Sequence, residues 1–179
     1  MEHVPLNSRY VKLFFICFCS IVFVQGQQKP NITVGAGIPE LLNLGIRYEF
    51  NENNIFGLSI GSTLSKNEDV LSLSGSFFHH FGGKVNKANR KRTYFRMGLG
   101  YLREDGYSSI SKYGTLDIRI GWDFSLGVKT GIQLGIGPMF IIAENEIEKF
   151  ENDDGWFDFD FKSGSIIYPS IGITLYHRL

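Results

Sequence analysis

From residue 31 onward, apolar and polar residues alternate. Ile32, Val34, Ala36 and Ile38 share one face of a first stretch, and "LNLGIRYEF" sets Leu42, Leu44, Ile46, Tyr48 and Phe50 against Asn43, Gly45, Arg47 and Glu49. The same period of two places Phe56, Leu58 and Ile60 opposite Gly57, Ser59 and Gly61, and Leu71, Leu73 and Phe77 opposite Ser72, Ser74 and Ser76. It returns at Phe95, Met97, Leu99 and Tyr101, then at Leu116, Ile118, Ile120 and Trp122, and again at Ile132, Leu134 and Ile136. An eighth stretch, "SIGITLYHRL" (170–179), carries Ile171, Ile173 and Leu175 on its apolar beat. Helical spacing is nowhere sustained, so the pattern predicts eight β-strands.

The two faces differ in size as well as polarity. In a soluble sandwich or ligand-binding barrel the bulky face points inward and the polar face carries solvated lysine and glutamate. Here the polar face is mostly Gly, Ser and Thr, with a few charges of both signs: Arg47, Glu49, Arg96, Asp117 and Arg119. An eight-stranded barrel has an interior just wide enough for side chains to fill. Such residues suit it as a paired polar network, and the apolar face is then left for lipid. A membrane-crossing strand needs about 9 to 11 tilted residues, and most of the segments reach that length.

Connection lengths point the same way, because outer-membrane barrels combine short periplasmic turns with longer outer loops. With both ends of the barrel chain on the periplasmic side, the turns fall near 51–54, 82–92 and 123–127. The outer connections fall near 39–41, 65–69, 103–114 and 143–164. The run 82–92 is long for a periplasmic turn.

Residues 1–26 read as a cleaved signal peptide. Arg9 and Lys12 precede the apolar run "LFFICFCSIVFV" (13–24), which is shorter than the roughly 20 residues a spanning helix needs, and polar "QGQQKPN" follows at once. Both cysteines, Cys17 and Cys19, lie inside this run, so the mature chain, 27–179, is expected to hold no disulfide and no thiolate chemistry. The 18 basic and 18 acidic residues of the whole chain cancel, which argues against a nucleic-acid partner. Glycine (21) and phenylalanine (16) are abundant and proline (5) is scarce, a balance that suits sheet with close backbone approaches.

Taken over residues 31–179, the chain resembles the small eight-stranded OmpA/OmpX-type outer-membrane barrels, and more loosely the outer-membrane barrel domains of Bacteroidetes-like bacteria. The resemblance is to an architecture, carried by the strand pattern rather than by a motif. It implies an all-β, antiparallel, up-and-down transmembrane barrel in the bacterial outer membrane, in contact with outer-membrane lipid and inserted by the barrel-assembly machinery. Family members often end in an aromatic residue that this machinery reads. The sequence here ends "LYHRL", so the alternation is kept and the aromatic is not. The eighth strand is expected to close the barrel, with no periplasmic domain following it.

Four features could carry chemistry. His79 and His80 are consecutive strand residues and so face opposite ways, which prevents them from sharing a metal; with His177 they fall near periplasmic strand ends, away from where a lipid A-modifying barrel enzyme would need a histidine. The stretch 144–160 holds eight acids against Lys149. Glu144, Glu146, Glu148, Asp153, Asp154, Asp158 and Asp160, with Trp156 among them, mark it as the expected contact with an extracellular partner or an ion. Lys84, Lys87, Arg90, Lys91 and Arg92 read as a solvated basic turn. The interior charges are expected to pair with one another. No nucleophile with a base is legible, and no cofactor or metal site is expected. The expected protein is a non-enzymatic surface barrel acting through its extracellular loops. The alternatives are a lipid A- or phospholipid-modifying barrel enzyme and a secreted soluble β-barrel that binds an apolar ligand.

Overall fold

The computed structural model describes residues 30–63, 69–106, 109–148 and 167–179; residues 1–26, expected as a signal peptide, lie outside them. Eight strands follow in chain order: β1 Asn31–Ile38, β2 Leu41–Glu49, β3 Asn54–Ser62, β4 Asp69–Val85, β5 Lys91–Asp105, β6 Ser109–Ser125, β7 Thr130–Glu148 and β8 Ile167–Arg178. Each pairs antiparallel with its neighbours in sequence, and β8 pairs with β1 from Asn31↔Arg178 to Ile38↔Ile171, so the sheet closes into a barrel. Closure pairs the edges an open sheet would leave exposed.

The expected faces are the observed ones. Val34, Leu44, Ile60, Leu73, Leu99, Ile120, Ile136 and Ile173 are all about half exposed on the outside, whereas Thr33, Ser72, Ser74, Ser76, Arg96, Asp117 and Arg119 are buried within. An exterior this apolar has no stable place in water, because a soluble monomer seldom exposes so large a continuous patch. With backbone hydrogen bonds closed around the ring, the barrel is one of the two forms of chain that lipid tolerates.

At one end, the turn end, asparagine sets the geometry of two of the three turns. Asn51 Oδ1 accepts from the amides of Asn53 (3.0 Å) and Asn54 (2.8 Å) between β2 and β3. Asn86 Oδ1 accepts from Ala88 (2.9 Å) and Arg90 (3.0 Å) between β4 and β5. Both are side-chain mimics of a backbone turn, the reason asparagine is common there. The segment 82–92, expected as a long solvated turn, is instead mostly strand: β4 runs through Val85 and β5 begins at Lys91. Register shifts between His80 and Gly82 and between Gly82 and Val85, with Gly83 at φ 82°, kink this hairpin. Bulges redirect a strand in this way. The kinked hairpin lies across the barrel mouth, where Asn89 Nδ2 donates to Glu52 (2.9 Å) and the Lys87 amide donates to Ser125 Oγ (2.9 Å).

At the opposite, loop end, the wall is uneven. β5, β6 and β7 hold 15, 17 and 19 residues against 8 in β1 and 9 each in β2 and β3. Much of 103–114, expected as a loop, is strand, with Asp105 paired to Ile110, and β7 continues to Glu148 alongside β6.

Candidate functional site

The barrel interior gathers buried charge among the described residues, and it holds two networks with an apolar layer between. The first lies toward the loop end. Glu40, in the two-residue turn between β1 and β2, reaches into the lumen and meets Arg96 of β5 and Arg119 of β6, the latter through Nη2 to Oε2 at 2.6 Å. Asp117 sits beneath, with Oδ1 3.2 Å from Arg96 Nη1 and 3.3 Å from Arg119 Nε, electrostatic contacts rather than aligned hydrogen bonds. Arg119 also donates to Ser170 Oγ and to the Ile38 carbonyl, both at 2.5 Å, and Arg96 Nη2 donates to Ser76 Oγ at 2.8 Å. Two arginines thus share two carboxylates, the arrangement that compensates buried charge.

Toward the turn end, Glu49 of β2 accepts from Arg178 of β8, from Arg90 of the kinked hairpin and from Asn31 Nδ2 (2.6 Å). Asp123 of β6 is fully buried and accepts from Gln133 Nε2 (2.8 Å), Tyr176 Oη (2.9 Å) and Asn86 Nδ2 (3.1 Å), with Arg90 Nη1 3.8 Å away. Arg90, expected on a solvated turn, is 2% exposed because the hairpin carries it into the lumen. Its guanidinium lies 5.1 Å from the Tyr176 ring centre, and Arg178 Nη1 fastens the same hairpin by donating to the Ala88 carbonyl at 2.8 Å.

Ile55, Phe78 and Tyr94 form the layer between. Arg47 lies over the Phe78 ring, 4.3 Å from its centre, and Nη1 donates to Gln133 Oε1. His80 is fully buried beside Tyr94 and donates from Nδ1 to the Lys91 carbonyl at 2.8 Å. Its neighbour His79 points outward against Phe81 and bonds Asn54, and His177 bonds Thr130 on the same outer belt near the turn end. The inward glycines give these large groups room: a Cβ on Gly131 would fall on the Tyr176 ring, one on Gly172 on the Arg119 guanidinium, and one on Gly98 on the Asp117 carboxylate. Large and small residues alternate around the lumen so that it fills.

Of the residues singled out from the sequence, Arg47, Arg96, Asp117 and Arg119 are buried in the lumen, and Glu49 lies in its turn-end network. Glu40, Asp123, Gln133, Tyr176 and Arg178 were not among them. Asp123 and Tyr176 occupy polar beats of their strands, a signal that could have found them; Glu40 sits in a turn with no period to read. Glu144 and Glu146 stand on the tall outer part of β7, opposite Tyr113 and Ser111. The backbone of Glu148 ends β7, and Asp153, Asp154, Trp156, Asp158 and Asp160 lie outside the described residues. Among the described residues no three His, Cys, Asp or Glu side chains converge as a metal site.

Neither a protein-family model nor a curated protein sequence matches the chain. Among solved structures it is similar to the N-terminal β-barrel domain of Pseudomonas aeruginosa OprF, at 11% identity and a TM-score of 0.50. The match covers 84% of this chain and 99% of that one. The fold is that of an OmpA-type eight-stranded barrel. At this identity the likeness is one of fold alone.

Proposed function

We propose that the protein is a small bacterial outer-membrane barrel that neither catalyses a reaction nor conducts solutes, and that its work is interaction at the loop end. The observation that carries this reading is the pairing of an apolar exterior with a filled lumen. The exterior seats the barrel in lipid, while two charge networks, an aromatic layer and the hairpin across the turn-end mouth occupy the path a solute would take. The surface left for a specific partner is the uneven loop end. There β5 to β7 rise beyond the shorter strands, and the acidic stretch from Glu144 onward begins.

A role at this end also fits the placement of the histidines. His79, His80 and His177 cluster toward the turns, so catalysis at the loop end would have to proceed without them. The test pairs cell fractionation with mass analysis of lipid A and phospholipids from cells with and without the gene. The protein is expected in the outer-membrane fraction with lipid masses unchanged. A gene-dependent change in acylation would replace the interaction role with an enzymatic one.

A further inference from the structure

We infer that the middle of the lumen binds one small monovalent anion of the halide class, held against Arg47. A cavity of about 30 Å³ lies there, lined in part by Arg47, Arg96 and Arg119, by Ser59 and Ser76, and by Glu40. That volume suits one or two water-sized occupants and nothing as large as an organic anion.

The charge around the cavity is unbalanced. Arg96 and Arg119 share Glu40 and Asp117, and Arg90 and Arg178 share Glu49, with Arg90 also reaching toward Asp123. Arg47 makes no salt bridge with a carboxylate among the described residues; it has the neutral Gln133 amide and the face of Phe78. Asp123, the acid below it, reaches Arg47 only through the Gln133 amide, which accepts from Arg47 and donates to Asp123. A guanidinium removed from water without a counter-charge is costly unless another anion supplies it. Arg47, Arg96 and Arg119 are 8%, 5% and 4% exposed, so all three guanidinium groups are withdrawn from water. Glu40 also lines the cavity, but its charge is matched by Arg96 and Arg119, so it does not neutralise Arg47. The site does not depend on the role proposed for the loop end.

The test uses the full chain refolded in detergent, heated in sodium chloride, sodium bromide or sodium gluconate at equal ionic strength, with loss of the compact gel band as the readout. Chloride and bromide should raise the transition temperature and saturate, while gluconate, too large for the cavity, should not. Arg47→Met should abolish the difference between anions, and Arg47→Lys should keep it. Equal transitions in all three salts would overturn the assignment. Should the variants fail to fold, crystals of the unaltered protein grown in bromide decide: an anomalous peak beside Arg47 supports the site, and its absence refutes it.

Discussion

Arg178 on β8 grips Glu49 on β2 through two parallel hydrogen bonds, Nε to Oε1 and Nη2 to Oε2, each 3.0 Å. β1 runs between those strands, and its Asn31 donates to the same carboxylate, so three strands around the closure seam converge on one side chain. Planar forked pairs of this kind fix geometry as well as contributing energy.

Glu49→Gln should therefore weaken the barrel more than Arg178→Ala. The first leaves both Arg90 and Arg178 facing a neutral group; the second leaves Glu49 still paired with Arg90. Removing one partner of a fully buried pair costs about 3 to 5 kcal/mol, and because these side chains are about one-fifth exposed, roughly 3 kcal/mol is expected for Glu49→Gln. Urea unfolding of the refolded protein in detergent, followed by gel mobility, measures both. Equal losses would mean that the Arg90 contact adds no more than the bond from Arg178 to the Ala88 carbonyl, which Arg178→Ala also removes.

Strand number and facing were legible because the lumen uses small residues. With Gly57, Ser59 and Gly61 or Ser72, Ser74 and Ser76 between bulky neighbours, the period of two stands out, and it also excludes a bulky core on the other face. The networks were only half legible. Arg47, Arg96, Asp117 and Arg119 sit in regular strands, where alternation fixes direction. Glu40 and Arg90 sit in turns and reach the lumen only through the path of the backbone, Arg90 through two register shifts in β4 that no local pattern announces. The height of the loop-end wall was missed for a related reason: the strand ends at 103–105 and 109–114 are polar, and polarity alone does not separate a solvated strand from a loop.

Gly98→Ala should destabilise the barrel by about 1 to 3 kcal/mol, because the added methyl falls on the Asp117 carboxylate and pushes it away from Arg96 and Arg119. Gly127→Ala, in the turn between β6 and β7, meets nothing within 4 Å and should leave stability within about 0.5 kcal/mol of the original. Heat-dependent gel mobility of the two variants side by side checks the contrast. If both behave alike, the lumen is looser than its packing implies.

Glu40 gives the barrel a defined response to acid. Burial pushes its carboxyl up, but Arg96 and Arg119 outweigh this and hold it below the ordinary value of 4.5. A carboxyl depressed in the folded state contributes stability that is complete above its unfolded value and is lost as pH falls through the folded one. The transition temperature should therefore drop on acidification below about pH 4.5, and more gently in Glu40→Gln, which has no proton to take up. An identical acid profile in the two proteins would show that other carboxylates govern the response.

The sharpest check on the assignment of faces is a charge placed outside. Ile173, at the centre of β8, is about half exposed between Ala36 and Leu134. In water an arginine at a half-exposed strand position would alter stability by about 0.5 kcal/mol or less. On the lipid face of a transmembrane barrel, near the bilayer midplane, the same change costs about 2 to 4 kcal/mol. Ile173→Arg should accordingly fold poorly into phospholipid vesicles, while the conservative Ile173→Leu folds as the parent does. Ready folding of the arginine variant, together with solubility of the parent in plain buffer, would mean that the apolar face meets water or a ligand instead of lipid, and the membrane reading would fall with it.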